Sequence, residues 1–278
     1  MANLTGTAKK RKAVFLDIDG TLIGREHSVV KEDREAMEKA AQDGHFIFLN
    51  TGRSFSNIPQ ALLELTSLKG IAAGGGAHIL MNGSGDLRYT TIYRRYISDD
   101  RLKKIFAWYG NRSKCCILEG EQGCYYINPS SWFFTVSPPI FVNSYDDFKK
   151  ISQGDFITKL TLDDFATDDE KQLLESELKL NLFADYAEAI IKSENKAKAM
   201  DLILKNLGLS REDSIAIGDG ANDLDMIRFA GTGIAMGNAC AELKAEAAFI
   251  TGDCGNGGVA MALHRLLHDS MPLFRRRL

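Results

Sequence analysis

Residues 13–21 read AVFLDIDGT, an apolar run followed at once by two acids, a glycine and a threonine. The run from Ala13 to Leu16 is typical of a buried strand in a parallel sheet. Open α/β sheets bind ligands in the crevice beyond the carboxyl ends of their strands, where Asp17 and Asp19 would lie. Two clustered acids there can hold Mg²⁺, and one of them can attack phosphorus to form an aspartyl-phosphate. A strand that ends in an Asx-type turn is the alternative interpretation.

The composition is that of an ordinary globular protein. Of the 278 residues, 45% are hydrophobic and 26% are charged, which is unlike a disordered chain. The formal net charge of -3 creates no field that favours nucleic acid or an anionic membrane. No apolar stretch approaches the roughly 20 residues that span a bilayer, and residues 1–7 lack the apolar centre of a signal peptide. We therefore expect a cytoplasmic protein that binds neither nucleic acid nor membranes.

The order of predicted strands and helices divides the chain into a core and an insertion. Up to about residue 82, and again from about residue 189, apolar strands alternate with helices, as in right-handed βαβ units with a parallel sheet. Between these segments the pattern changes to short alternating strands with a few helices, which is typical of a small α+β domain. The sequence therefore predicts a discontinuous α/β core of residues 1–82 and 189–278, interrupted by an α+β domain of residues 83–188.

Several helices and strands are predicted, the first helix with approximate bounds. The patterns indicate helices over residues 55–65, 167–178 and 196–207, and strands over residues 181–185, 188–191 and 214–218. Thr167 and Glu170 have the spacing of a capping box, which predicts a helix start at this threonine.

Four polar sites share a related pattern. Residues 17–21, Thr51 and residues 219–223 each follow an apolar strand, and Lys196 lies at a predicted helix start. Because the strand ends of a parallel sheet lie along one edge, these groups are expected to converge on one crevice. Phosphoryl transfer needs such a set: a nucleophile, Mg²⁺, donors to the phosphoryl oxygens and a proton shuttle for the leaving group.

These motifs resemble those of the haloacid dehalogenase (HAD) superfamily of phosphatases, and within it the Cof-type hydrolases. The matching segments are DIDGT at 17–21, TGR at 51–53, ENKAKAM at 194–200, GDGAND at 218–223 and AMGNA at 235–239. The resemblance implies a doubly wound, Rossmann-like parallel-sheet core with an inserted α+β cap domain. The inserted block matches the family in position and size more than in sequence.

The resemblance also implies roles for the acids. Asp17 would be the nucleophile that forms the aspartyl-phosphate. Asp19 would protonate the leaving alcohol and then activate water, and its backbone carbonyl would help to bind Mg²⁺. Asp219 would be a direct Mg²⁺ ligand, and Asp223 would support the metal shell. The metal set implied by the family is thus Asp17, Asp19, Asp219 and Asp223, and these oxygens suit Mg²⁺.

The phosphate-binding set implied by the family is Thr51, Gly52, Lys196 and Asn222. A lysine is a mobile point charge suited to a transferring phosphoryl group. Alternatives remain open for these positions. Lys196 could be a solvated lysine of a first helical turn, with Lys192 as a competitor, and Thr51 could cap a helix. Asp223 could complement a helix dipole, which is compatible with metal support.

One segment departs from the family pattern. Cof-type proteins often carry Asn-Gly near the end of the third strand, where this chain has AGGGA at residues 73–77. These glycines could shape the hinge between core and cap or a contact with substrate. Because of this departure, the sequence defines the first residue of the cap only to within several positions. The cap would determine which leaving group is accepted. Most of its aromatic residues, however, fit packing in the hydrophobic core of the cap better than contact with substrate. The candidate residues for contact with the leaving group are Arg94, Tyr125, Tyr126, Trp132, Phe133 and Phe134.

The sequence therefore predicts a Mg²⁺-dependent phosphatase of small phosphomonoesters: sugar phosphates, nucleotides or phosphorylated cofactors. A phosphomutase, which returns the phosphoryl group to a substrate hydroxyl, is an alternative. A non-catalytic module that binds phosphorylated metabolites is another, although such a module needs no acid/base partner at Asp19. The expected partner is a small phosphorylated metabolite.

Overall fold

The computed structural model describes residues 10–24, 28–83, 88–129, 136–163, 167–183 and 185–267. The first half of the described chain contains β1 (Ala13–Leu16), α1 (Lys31–Gln42), β2 (Phe46–Asn50), α2 (Gln60–Leu63), β3 (Leu68–Ala73), β4 (His78–Asn82), β5 (Tyr89–Arg94), α3 (Asp99–Tyr109), β6 (Cys116–Glu119), β7 (Cys124–Ile127) and β8 (Pro139–Phe141). The second half contains α4 (Tyr145–Ser152), β9 (Lys159–Asp163), α5 (Asp168–Leu174), β10 (Leu178–Leu182), β11 (Tyr186–Ile191), α6 (Lys196–Leu207), β12 (Ser214–Gly218), α7 (Leu224–Phe229), β13 (Thr232–Ala235), α8 (Ala241–Glu246), β14 (Phe249–Ile250) and α9 (Gly258–Leu267).

The chain divides into two compact units. The first unit comprises Met1–Leu49, Thr66–Lys69 and Met200–Leu278, and the second comprises Asn50–Leu65 and Gly70–Ala199. The boundaries pass through β2, β3 and α6, so each of these elements contributes residues to both units.

Parallel strands form the sheet of the first unit, in the order β14-β13-β12-β1-β2. The apolar run of β1 is fully buried, and Phe15 stacks on Phe48 of β2 with ring centroids 5.2 Å apart. The chain continues from β1 to β2 on one side and returns at β12 on the other. The carboxyl ends of β1 and β12 therefore mark the point where the strand order reverses, which is where open α/β sheets bind ligands.

The second unit contains a six-stranded sheet of order β10-β11-β9-β6-β7-β8, in which every described pair except β7–β8 is antiparallel. Side chains alternate between its two faces, so Leu118 and Leu160 join an apolar core with Phe106 of α3 and Phe148 of α4. The opposite face carries a small apolar cluster and three buried polar residues. The apolar cluster consists of Cys115, Ile117, Cys124 and Tyr126. The buried polar residues are Glu119, Lys159 and Thr161.

The candidate cap residues fall into three groups. Tyr125 and Tyr126 are each only 2% exposed and belong to apolar clusters of the second unit, which fits a packing role. The Arg94 guanidinium lies 3.9 Å from the centre of the Phe156 ring. Residues 132–134 lie outside the described residues.

Several of the predicted elements differ in their bounds from the structure. The helix predicted over residues 55–65 is a 3₁₀ turn at Phe55–Asn57 followed by α2, because Pro59 disfavours a helical conformation at Ile58, which is extended, and lacks an N–H to continue the helix. The helix predicted over residues 167–178 ends at Leu174, since Leu178 already pairs with Ile191 in the sheet. The strand predicted over residues 181–185 consequently begins three residues too late.

Other predictions are confirmed. The α6 and β12 bounds agree with the predicted helix over residues 196–207 and strand over residues 214–218. Thr167 forms the predicted capping box, in which its hydroxyl accepts from the Glu170 N–H and the Glu170 carboxylate accepts from the Thr167 N–H. Among the residues described, no helix combines the length and apolarity that crossing a membrane requires.

The domain boundaries at residues 82 and 189 stay a prediction. Strand β5, which the sequence analysis placed in the insertion, pairs antiparallel with β4, which it placed in the core. Both strands belong to the second unit. Strand pairing therefore continues across residue 82, where the sequence pattern changes from parallel α/β to α+β.

Candidate active site

Three carboxylates gather where the strand order of the first unit reverses. Asp17 follows β1, Asp219 follows β12, and Asp223 lies directly before α7. One oxygen from each of these side chains lies within 4.8 Å of the others. Asp17 and Asp223 are buried and Asp219 is half-buried. The pairing of β1 with β12 accounts for this cluster, because it brings the two strand ends side by side.

The segment GDGAND folds around the Asp223 carboxylate. Its Oδ2 accepts hydrogen bonds from the backbone N–H groups of Asp219 at 2.9 Å and Gly220 at 3.0 Å. A Cβ at Gly218 would lie 2.6 Å from the Asp223 carboxyl carbon, so only glycine fits there. Asp223 thus fixes the backbone that presents Asp219 while it also belongs to the acid cluster.

Gly20 of the DIDGT segment allows the backbone to approach Asp219. A Cβ at this position would lie 2.1 Å from Asp219 Oδ2, and the φ of +76° is itself unfavourable for other residues. Asn238 Nδ2 donates to the Gly20 carbonyl at 2.8 Å and lies 3.4 Å from Asp219 Oδ2. The sequence assigned no role to Asn238, and its place in AMGNA was the only signal for it.

The donor set of the cluster fits Mg²⁺. Carboxylate oxygens are the ligands that this cation prefers, and three like charges within 4.8 Å become less costly beside a divalent cation. A softer metal would favour thiolate ligands. Burial, reinforced by the Asp219 carboxylate, raises the pKa of the Cys254 thiol to about 11, and this sulfur is not among the grouped ligand atoms of the cluster. Asp17, Asp219 and Asp223 are therefore the side chains that would hold the ion.

Asp19 lies apart from these three carboxylates. It is exposed, and its carboxylate is not one of the oxygens in the acid cluster. With Gly20 and Asn238 it lines a cavity of about 660 Å³ in the first unit. An exposed carboxyl group beside such a space can reach the oxygen of a bound leaving group, as a general acid must.

Thr51 and Lys196 lie in the second unit and are 1% and 3% exposed. The Thr51 hydroxyl accepts the Arg53 N–H at 3.1 Å and retains its own proton for donation. The Thr51 hydroxyl thus closes a turn. Lys196 is the first residue of α6, and the Asn50 side chain donates to its carbonyl at 3.1 Å. The end of β2 and the start of α6 are thereby joined.

The neighbouring lysines differ from Lys196 in their surroundings. Lys192 is exposed and donates to the Glu175 carbonyl, and Lys198 is half-buried beside the Glu194 carboxylate. Lys196 is the buried one of the three, unlike a solvated lysine of a first turn. The convergence of Thr51 and Lys196 with the acids stays a prediction, as do the roles of Gly52, which is half-buried, and Asn222, which is exposed.

Known proteins are similar to this chain along nearly its whole length. The sequence profile of the haloacid dehalogenase-like hydrolases matches residues 14–263. The 5-amino-6-(5-phospho-D-ribitylamino)uracil phosphatase YwtE of Bacillus subtilis strain 168 is 28% identical over 292 residues, which cover 92% of this chain and 98% of the relative. A second phosphatase of the same description and organism, YcsE, is 26% identical over 266 residues, covering 91% and 94%. The solved structure of the HAD subclass IIB sugar phosphatase BT4131 has 27% identity and a TM-score of 0.73, and the match covers 91% of this chain and 98% of that one.

Proposed function

Because this chain belongs to the haloacid dehalogenase-like hydrolases and is a phosphatase of that family, we propose that it hydrolyses small phosphomonoesters with Mg²⁺ through an aspartyl-phosphate on Asp17. The observation that carries the proposal is the cluster of Asp17, Asp219 and Asp223 at the strand-order reversal. A buried acid cluster at this position suits phosphoryl transfer, which depends on positioning and on charge stabilisation.

The first step transfers the phosphoryl group to the enzyme. An Asp17 carboxylate oxygen attacks phosphorus, and the bond between phosphorus and the leaving oxygen breaks. Asp19 gives its proton to that oxygen, so the leaving group departs as a neutral alcohol. The exposure of Asp19 beside a cavity of about 660 Å³ supports this role, because the leaving group must come within its reach.

The second step releases phosphate. Asp19, now a carboxylate, takes a proton from water, and the water oxygen attacks phosphorus. The bond between phosphorus and Asp17 breaks, which restores the Asp17 carboxylate and yields inorganic phosphate. After both steps Asp19 is protonated again, so protons and charges balance over the cycle.

Asp17, Asp219, Asp223 and the Asp19 backbone carbonyl would hold the metal ion. When bound, Mg²⁺ supplies positive charge that reduces repulsion between the carboxylates and the phosphate. The Thr51 hydroxyl, Gly52, Lys196 and Asn222 would bind the phosphoryl oxygens. Burial of Thr51 and Lys196 strengthens their interaction with an anion, since little water competes there.

The names of the relatives support a substrate class. Two Bacillus subtilis relatives are phosphatases of a phosphoribitylamino uracil, and BT4131 is a sugar phosphatase. These names support a phosphomonoester whose leaving group is the alcohol of a sugar or sugar-derived chain. Such compounds occur among the sugar phosphates, nucleotides and phosphorylated cofactors.

The test measures phosphate release from a panel of phosphorylated sugars, sugar alcohols, nucleotides and cofactors, with and without Mg²⁺. Native protein is compared with Asp17→Asn, which keeps the shape of the side chain and removes the nucleophilic charge. Mg²⁺-dependent release that the variant loses supports the proposal. Transfer to a second hydroxyl without free phosphate would indicate a phosphomutase, and binding without turnover would indicate a binding module. Either result would overturn the hydrolytic function.

A further inference from the structure

The first turn of α6 is held in place by its own residues. Asn195 caps the helix, because its Oδ1 accepts the Lys198 N–H at 2.8 Å. The Asn195 carbonyl accepts the Ala199 N–H at 3.2 Å, as the first bond of the helix. These two hydrogen bonds therefore fix the backbone position from which the Lys196 side chain extends. Lys196 itself is 3% exposed.

Gly76 contacts this turn from the glycine run that follows β3. A Cβ at Gly76 would lie 2.5 Å from the Asn195 carbonyl oxygen and 3.3 Å from Ala199 Cβ. The first of these atoms belongs to the backbone, so a larger residue can be admitted only if the first turn of α6 moves. The φ of +97° at Gly76 adds a second reason for glycine.

Asn50 holds the same turn from the end of β2. It is fully buried, and its Nδ2 donates to the Lys196 carbonyl at 3.1 Å across 146 residues of sequence. Gly75, in the same glycine run as Gly76, donates its N–H to the Thr51 carbonyl at 2.9 Å. Segments 50–51, 74–76 and 195–196 are thus packed and hydrogen-bonded together within the second unit.

We propose that Gly76 and Asn50 are positioning residues for Lys196, which set the orientation of the first turn of α6 and thereby the phosphate affinity of the enzyme. The proposal rests on the phosphate-binding role proposed for Lys196. A lysine side chain is long, so a small rotation of its backbone displaces the ammonium group by a much larger distance. Misplacement by about 1 Å can reduce a rate about 100-fold.

The test compares Gly76→Ala and Asn50→Ala with Gly75→Ala as the matched control. Gly75 lies in the same run with φ +64°, but a Cβ there would make only an ordinary 3.6 Å contact with Ile190. Calorimetry with inorganic phosphate in the presence of Mg²⁺ gives affinity without turnover, and steady-state kinetics give KM and kcat. We expect phosphate affinity to fall and KM to rise at least about 10-fold in Gly76→Ala and Asn50→Ala, with Gly75→Ala within about 2-fold of the native protein.

A double-mutant cycle with Lys196→Ala separates positioning from general damage. If Gly76 and Asn50 act through Lys196, their substitution costs no further phosphate affinity once this lysine is absent. Additive losses, or equal losses in Gly75→Ala, would overturn the inference. Asn50→Ala decides the matter alone if Gly76→Ala does not fold.

The same cycle distinguishes the two proposals. Unchanged phosphate affinity in Lys196→Ala contradicts the role of Lys196 itself. A loss in Lys196→Ala with native affinity in Gly76→Ala and Asn50→Ala contradicts only the positioning. Mg²⁺ binding, followed by its effect on thermal unfolding, is expected to stay native in all three variants, since the acid cluster is unaltered.

Discussion

Both units bury carboxylates, but they arrange them in opposite ways. In the first unit Asp17, Asp219 and Asp223 place charges of one sign within 4.8 Å of one another. In the second unit Glu119 lies beside a cation of the same sheet: Lys159 Nζ is 3.5 Å from its carboxylate, and Ser54 Oγ donates to it at 2.9 Å. The first arrangement suits an ion that binds from solution, whereas the second is complete within the protein.

The pKa shifts of the second arrangement show how the pair is stabilised. Burial alone would raise the pKa of Glu119, but the Lys159 charge and the Thr161 and Ser54 hydroxyls outweigh it and hold the pKa below its usual value. Burial would lower the pKa of Lys159, but the Glu119 and Glu188 carboxylates raise it. Both groups therefore stay charged. The pair of Glu119 and Lys159 should therefore affect stability, whereas the cluster of Asp17, Asp219 and Asp223 should affect metal binding and turnover.

The largest effect is expected from Lys159→Met. This change leaves Glu119 buried without its cation, which should lower the free energy of unfolding by about 3–5 kcal/mol in urea titration. Glu119→Gln added to Lys159→Met should recover part of the loss, because the fully buried carboxylate at Glu119 is then neutral and only Glu188, whose side chain is 16% exposed, lacks its lysine partner. Lys171→Met serves as the control, since the Lys171 side chain is 40% exposed in a surface pair and should contribute under about 1 kcal/mol. If Lys159→Met and Lys171→Met lowered the free energy of unfolding equally, the buried pair would contribute no more to stability than a surface pair, and this prediction would be wrong.

Gly20→Ala should disrupt the acid cluster of the first unit. The added methyl group would lie 2.1 Å from Asp219 Oδ2 and displace it, so phosphate release should fall about 100-fold, equivalent to about 2.7 kcal/mol. The rise in thermal unfolding temperature that we expect on Mg²⁺ binding to the native protein should be absent in this variant. Gly44→Ala is the matched control, because Gly44 has φ +88° and open space around it. A native Mg²⁺ response in Gly20→Ala would contradict the proposed metal site.

Buried His78 should make the second unit sensitive to mild acid. Burial and the Arg94 charge lower the pKa of His78 to about 4 from 6.5. Glu121 lies 3.2 Å from its Nε2, but Arg94 lies 2.8 Å from the same carboxylate oxygen and offsets that charge. Between these two pKa values the unfolded chain binds a proton that the folded one does not, so stability falls as the pH decreases.

The expected loss attributable to His78 is about 2 kcal/mol between pH 7 and pH 5. His78→Asn should be less sensitive to pH by that amount in urea titrations at the two pH values. The pair of Glu119 and Lys159 stays charged over this interval and should not contribute. The same pH dependence in native protein and His78→Asn would show that this histidine is not the responsible group.

The smallest effect is expected at the capping box of α5. Thr167→Ala removes the hydroxyl that accepts the Glu170 N–H and should cost about 1 kcal/mol of unfolding free energy. Thr167→Ser keeps that hydroxyl and should stay within about 0.5 kcal/mol of the native protein. A larger cost for the serine variant than for the alanine variant would rule out the cap as the cause. Phosphate release by folded protein should be unchanged in both.

Sequence predictions succeeded where the signal is local. The apolar run before Asp17, the helix that begins at Lys196 and the capping box at Thr167 each depend on residues within a few positions of one another. The helix predicted over residues 167–178 was too long because Leu178 follows the strand register set by Ile191, which no local pattern contains. The acids of the cluster could be named as candidates because acids that follow apolar strands recur in a parallel α/β pattern and match the family motifs at residues 17–21 and 218–223.

The amino-acid sequence was sufficient to predict the parallel α/β class, the acids that follow β1 and β12, and the lysine at the start of α6. Tertiary structure alone decided that Gly76 approaches the Asn195 carbonyl, that Asn50 bonds to the Lys196 carbonyl, and that Glu119 pairs with Lys159. The physical reason is the separation in sequence between the interacting residues. Hydrophobic periodicity and helix capping depend on residues within one or two helical turns of one another. Close packing and buried hydrogen bonds, by contrast, join residues far apart in the chain, such as Asn50 and Lys196 at a separation of 146 positions, only after the strands have found their register.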